Sequence, residues 1–445
     1  MRQILKACCL VFGVSIEQLK VILARAGDVE EICRSLLTHR PSDGVLEPGC
    51  VFGNILERCE PEVMRKLSEL LDKHWRLVKG LVTKKARKRA IVLQGRRFFK
   101  KAAKFMFRRG RINPETASAH CYVHGRRCRL LPCGTAGEGE AASPPLNLFI
   151  AGVICHAWSS MGTQRCWLAD SAKPFLQTLS EVLASDFAAA ILECTAAFDS
   201  EVGLSPFAQD WHRCVLQFSP TLLGYPCSRP RLCMLLLKKS KLRWHPEVAA
   251  LGFQESFSLL FARSLAMNGN AFVRAPPDEV ATAIEELALG RGFPMARGGG
   301  RQWKCDHVLP IPMRRRLLRH RCGPARQHVA WPDVFCNLRQ TPSYAALSTV
   351  IPTLLRGSRI YSFRFKRILI ERETMEAMGY GMFSEPKASF ADELANLSPA
   401  DVRGLAGNGM HAAAVGAAMI FCSCALSLWC SRCARNSMQK TSTHS

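Results

Sequence analysis

The sequence predicts an α/β fold, and three observations point to it. Residues 146–153, 187–192 and 232–237 are apolar runs of strand length bounded by polar loops. Between the first two, Phe175, Leu176, Leu179, Val182 and Leu183 fall on one helical face, so the order is strand, loop, helix, strand, the repeating unit of a parallel sheet. Such sheets gather reactive groups where strands end at their carboxyl edge. Cys155 and Glu193 are each expected just past the end of such a strand.

Upstream, residues 1–60 read as short helices. Two are expected over 15–40, the second with Asp28 as N-cap, Glu31 in the capping-box position, and Val29, Ile32, Cys33, Leu36 and Leu37 on a packing face. Residues 61–133 form a basic helical region. Pro61 is a good first helical residue, and Val63, Leu67, Leu70 and Leu71 make an apolar stripe. From Lys73 to Pro114 there is no acidic residue, while sixteen Lys and Arg occur. Phe98, Phe99, Phe105 and Phe107 lie among those charges. Such rings can stack on bases, but the buried side of an amphipathic helix is the expectation here. Lys84, Lys85, Arg87, Lys88 and Arg89 are candidate nucleic-acid contacts, and their run fits a nuclear address.

Residues 134–145 are a small, flexible linker, Gly-Thr-Ala-Gly-Glu-Gly-Glu-Ala-Ala-Ser-Pro-Pro. The α/β core follows over 146–239. Residues 240–345 differ in character, with a helix near 277–289, glycines at 298, 299 and 300, and a basic cluster from Arg314 through Arg315 and Arg316 to Arg321. They are read as a separate lobe. The core returns over 346–430, with a helix near 372–378 and a last helix from about Ala412, and 431–445 are a tail.

Composition bounds the function. With 61 Lys and Arg against 36 Asp and Glu, the net charge of +25 calls for a polyanionic partner, nucleic acid or an acidic membrane face. The 21 cysteines are odd in number and irregularly spaced, which indicates a reducing compartment and not a disulfide framework. Cys121, His124, Cys128 and Cys133 have the ligand types and spacing a structural zinc can use, although they match no common finger. Residues 8–14 lack a following cleavage site, so secretion is not expected. Residues 412–430 carry no charge, but their many Ala, Gly, Ser and Cys favour a buried helix over a membrane anchor.

Five segments, in order, carry a resemblance. Ala-Gly-Val-Ile-Cys-His-Ala-Trp-Ser-Ser-Met-Gly at 151–162 resembles the nucleophile loop of DNA cytosine-5 methyltransferases, Gly-x-Pro-Cys-Gln-x-Phe-Ser-x-x-Gly, and the likeness continues through Gln164 and Trp167. Ile-Leu-Glu-Cys-Thr around Glu193 resembles the Glu-Asn-Val strand end. Residues 224–231, Gly-Tyr-Pro-Cys-Ser-Arg-Pro-Arg, resemble Gly-x-Pro-Gln-x-Arg-x-Arg. Ile351, Pro352 and Thr353 with Arg356 resemble the Pro-Thr segment after the target-recognition region. Residues 404–411, with Val415 and Gly416, resemble the closing Gly-Asn motif.

The resemblance implies a Rossmann-like, S-adenosylmethionine-dependent methyltransferase core, partly truncated, with the 240–345 lobe as an inserted target-recognition region. C5 of cytosine becomes nucleophilic only when something adds across C6, and a thiolate does this best. An acid at N3 and cationic donors near O2 then stabilise the ring. The base must also leave the stack. On the resemblance Cys155 attacks, Glu193 serves N3, Arg229 and Arg231 hold base and loop, Ser159 and Gln164 belong to the nucleophile loop, and Asn408 with Gly407 lies near the donor. DNA is the expected partner, RNA stays open, and the oligomeric state is not legible.

Some positions depart from the pattern. Ile154 stands for proline, His156 for glutamine, Cys194 for asparagine and Cys227 for glutamine. Residues 1–146 contain no Phe-x-Gly-x-Gly loop with a following acid, and Val51-Phe52-Gly53-Asn54-Ile55 places Asn54 where relatives carry aspartate. The alternative reading is therefore a catalytically impaired, methyltransferase-like protein that binds nucleic acid.

Overall fold

A computed structural model describes residues 26–38, 49–109, 117–130, 147–153, 156–159, 162–293, 303–322, 331–341, 347–383, 391–424 and 426–428. The chain divides into two compact units. One comprises residues 1–217, 231–259 and 417–445, and the other 218–230 and 260–416. Residues 346–416 thus group with 260–345 of the expected lobe, while its residues 240–259 fall in the first unit.

The first unit opens with β1 (Ala26–Gly27), α1 (Glu31–Thr38) and β2 (Val51–Phe52). Asp28 accepts from the Glu30 N–H just before α1. No residue of α1 is fully buried; of the expected packing face, Ile32, Cys33, Leu36 and Leu37 are half-buried and Val29, just before the helix, is exposed. β2 pairs in parallel with β1 and antiparallel with β3 (Ser118–Cys121), which turns back into β4 (Arg126–Arg129). After β2, Asn54 accepts from the Leu56 N–H and caps a short 3-10 turn.

Helices α2 (Pro61–Lys79) and α3 (Lys84–Arg109) follow. The expected stripe is buried at Val63, Leu67 and Leu71, with Leu70 packed at its edge. Phe98 and Phe99 are wholly buried with Ala102, Ala103 and Met106, while Phe105 and Phe107 pack partly against them. These rings belong to the core. Each buried phenylalanine contributes roughly 1.5–3 kcal/mol, and the helix keeps its charges on the opposite face.

The central sheet has the order β5-β6-β8-β7, from β5 (Leu148–Gly152), β6 (Ala189–Thr195), β7 (Trp211–Phe218) and β8 (Arg231–Lys238). β5 and β6 are parallel, joined across α4 (Ala172–Ala184), as the sequence predicts. β8 runs antiparallel to β6, so the sheet is mixed, not wholly parallel. The reason is the connection: β7 and β8 are linked by residues 219–230 without a crossover helix, and parallel neighbours need one. A further correction concerns Glu193. It lies within β6, two residues before its end, so its side chain is fixed by the pleat. Beyond β8, β9 (Leu242–Trp244) continues the unit.

The second unit contains α5 (Pro277–Leu289), where a helix is expected, and α6 (Ile311–Cys322). Its sheet runs β10 (Phe335–Asn337), β11 (Ile360–Ser362) and β12 (Arg367–Ile368), antiparallel throughout. Helix α7 (Glu371–Ala377), also expected, carries in its first turn Glu373, which is fully buried against Arg367 in a paired contact at 2.7 and 2.7 Å. Then come α8 (Pro399–Asn408) and α9 (Ala412–Cys424), whose residues from 417 on belong to the first unit. The uncharged stretch 412–430 is therefore not one helix. α9 stops at Cys424, and β13 (Leu426–Leu428) pairs antiparallel with β9. Phe421 of α9 is buried with Phe257 and Trp244.

Candidate active site

The register of the central sheet sets the first contact. Glu193 on β6 faces Cys233 on β8, and Thr195 faces Arg231. Residues two apart on a strand share a face, so Arg231 is the diagonal neighbour of Glu193. Its Nε lies 2.8 Å from Glu193 Oε1, with both side chains largely buried. On the other side Gly152 pairs with Glu193, and the Val153 N–H donates to the Glu193 carbonyl at 2.9 Å. The backbone entering the nucleophile loop is thus tied to the acid's own residue. Cys155 and Ile154 lie outside the described residues, between Val153 and His156 in sequence. Burial, and then the Glu193 charge, push the Cys233 thiol above its ordinary value, away from the thiolate form.

The loop's stem explains its small and aromatic residues. A Cβ on Gly162 would stand 1.6 Å from the His156 carbonyl oxygen, so only glycine fits there. The Gly162 N–H donates to the Ser159 carbonyl, and the Cys166 N–H to the Ala157 carbonyl. Gln164 and Cys166 take left-handed conformations, φ 52 and 53, a turn uncommon outside glycine. Trp158 packs edge-on against Trp167 and Phe198, and Trp167 lies 4.2 Å from the Phe99 ring. Ser159 is half-buried and Gln164 exposed on this anchored loop.

In the second unit, Arg229 is buried, and its guanidinium donates to the carbonyls of Leu354 (2.9 Å), Gly407 (3.1 Å) and Gly409 (2.7 Å). Those bonds commit it to joining two backbone segments, at 354 and at 407–409, a positioning task. The same loop is joined to the Pro-Thr segment: Ser228 N–H donates to Ile351 O, Ile351 N–H to Pro226 O, and the Thr353 hydroxyl to Ser228 O. A Cβ on Gly407 would lie 2.3 Å from Arg356 N, so this glycine serves close backbone approach. Asn408 ends α8 and is exposed. Beside Arg229 sits His411; its burial, then the Arg229 charge, hold its pKa down at about 3.

No protein-family model matches the chain, and no curated protein resembles it in sequence. Solved structures similar to it include the Dnmt2 methyltransferase of S. pombe, at 13% identity and TM-score 0.33, covering 61% of this chain and 76% of that one. The Entamoeba histolytica methyltransferase EhMeth follows at 12% and 0.31, covering 62% and 76%. A Spodoptera frugiperda DNMT2 mutant stands at 11% and 0.31, covering 62% and 79%. Likeness at those TM-scores carries no residue-level correspondence.

Among the basic candidates, Lys84, Lys85, Arg87, Lys88 and Arg89 are all exposed on the first turns of α3. Arg315 is exposed and Arg314 half-buried, whereas Arg316 donates to the Leu338 carbonyl at 2.7 Å and serves the lobe's packing. Of the zinc candidates, Cys121, His124 and Cys128 come together, Cys133 lies outside the described residues, and Cys50 joins the group. Sequence reasoning missed Cys50 because 71 positions separate it from Cys121, although it directly precedes the short apolar strand that pairs with β3.

Proposed function

We propose that this protein is a cytosine-5 methyltransferase acting on nucleic acid, DNA foremost, and that Cys155, Glu193 and Arg231 perform the attack on the base. The observation that carries the reading is the Glu193–Arg231 pair, buried on the strand beside the one that leads into the Cys155 loop. The Cys155 thiolate adds to C6; the C5–C6 π pair moves into the ring toward N3, where Glu193 delivers its proton or a hydrogen bond. Arg231 fixes the carboxyl and supplies positive charge as negative charge grows on the base. Arg229 positions the loop.

S-adenosylmethionine is the donor the resemblance implies, yet among the described residues Asn54, Gly407 and Asn408 do not fit it. Asn54 is spent on the Leu56 N–H, Asn408 is exposed at a helix end, and the Gly407 Cα is closed over by Arg356. These residues therefore support no transfer step. That misfit favours a second reading, a nucleic-acid-binding protein that engages cytosine without turnover. Duplexes containing 5-fluorocytosine, incubated with protein and donor, leave a denaturant-stable adduct at Cys155 on the first reading, and Cys155→Ala leaves none. Matching RNA duplexes identify the substrate. No adduct from wild type, with salt-sensitive binding retained and no donor binding by calorimetry, establishes the second.

A further inference from the structure

Four potential metal ligands converge within the first unit, away from the central sheet's residues. Cys50, Cys121, His124 and Cys128 present Sγ and ring-nitrogen atoms all within 4.8 Å of one another. The three sulfurs surround one atom, His124 Nδ1, at 3.7 Å from Cys50, 3.4 Å from Cys121 and 3.5 Å from Cys128. A ring nitrogen carries either one proton or one lone pair, so it cannot hydrogen-bond to three thiols at once. Nor are these disulfides, since all three cysteines are free.

A tetrahedral ion accounts for the arrangement. With Zn–S of ~2.3 Å and Zn–N of ~2.0–2.1 Å, the sulfur-to-nitrogen edge of a tetrahedron is about 3.5 Å, which is the spacing found. The backbone is shaped for it as well. The Gly125 N–H closes onto the Cys121 carbonyl at 2.9 Å, and Gly125 itself is left-handed, φ 63, turning His124 back toward Cys121.

The local core explains why a metal belongs there. The sheet β1-β2-β3-β4 has strands of two to four residues. Among the described residues its buried cluster holds Phe52, Ala119, Cys121 and Leu130, with Cys50, Ala117 and Cys128 packed partly against them. So few apolar groups rarely hold a sheet of this kind, and small units are commonly stapled by metal.

We infer that Cys50, Cys121, His124 and Cys128 bind one structural zinc ion, with Cys50 completing the set in place of Cys133. Three thiolates and one imidazole form a closed coordination sphere without an open position, so the ion is structural and not catalytic. The staple ties residue 50 to the β3–β4 hairpin, whose exposed Arg126, Arg127 and Arg129 it holds in place.

Elemental analysis of the full chain, purified under reducing conditions, tests this independently of any methyl transfer. About one zinc per chain is expected, released by a thiol-blocking mercurial and detected with a metallochromic dye. Cobalt substitution should give the visible bands of a tetrahedral thiolate site. Cys50→Ser and Cys128→Ser should weaken metal binding at least about tenfold, while Cys133→Ser keeps full occupancy. Folded wild type with only trace zinc and no cobalt bands overturns the site. Retention by Cys50→Ser with loss in Cys133→Ser overturns the assignment of the fourth ligand.

Discussion

At the scale of single residues, Glu193 and Arg231 are legible as a motif, but the sequence sets Glu193 beyond a strand when it lies inside one. Placement in the pleat makes the carboxyl a fixed group, and its partner is two residues along the facing strand. Glu193→Gln should lower adduct formation by ~10²–10⁴ with little change in nucleic-acid affinity, since the loss falls on proton delivery; parallel adduct and binding titrations separate the two. His411 shows the reverse case, a residue present in a motif whose role only packing reveals. Its folded pKa, about 3, lies below the unfolded value, near 6.5. The stability it confers is therefore complete above pH ~6.5 and is lost as the pH falls toward the folded value. Urea unfolding midpoints measured across that window should fall with acid in the wild type and fall less in His411→Gln.

At the scale of elements, α2, α3 and α4 are readable from periodicity, because each buries a stripe whose spacing the helix itself imposes. α1 meets its expectation only in part: its apolar face is half-buried beside β1 and β2, and no residue of the helix is fully buried. An amphipathic pattern states what an element could bury and not whether a partner arrives. The same gap hides the pairing of Arg58 with Glu181, 123 residues apart. The guanidinium Nη1 lies 3.0 Å from each carboxylate oxygen, with side chains 8% and 1% exposed. Removing Arg58 takes its paired charge from a buried carboxylate, so Arg58→Ala should cost ~3–5 kcal/mol. The double change Arg58→Met with Glu181→Leu should recover much of that loss, as a thermal or urea unfolding series would show.

At the scale of the whole molecule, the surplus of 25 positive charges is concentrated on exposed faces, above all the start of α3. Replacing Lys84, Lys85, Arg87, Lys88 and Arg89 with alanine should weaken nucleic-acid binding and flatten its salt dependence, by about 0.9 in log–log slope for each phosphate that is no longer neutralised. Unfolding midpoints should stay within about 0.5 kcal/mol of wild type, since these side chains lie outside the core; an unchanged slope would move the binding face elsewhere. By itself the sequence determined the charge, the β5–α4–β6 unit and the ordered motifs, because these are encoded by neighbours along the chain. Tertiary structure alone decided that β8 runs antiparallel, that Arg229 holds backbone carbonyls, and that Cys50 stands beside Cys121. Those outcomes depend on which distant surfaces meet, and local spacing carries no information about that.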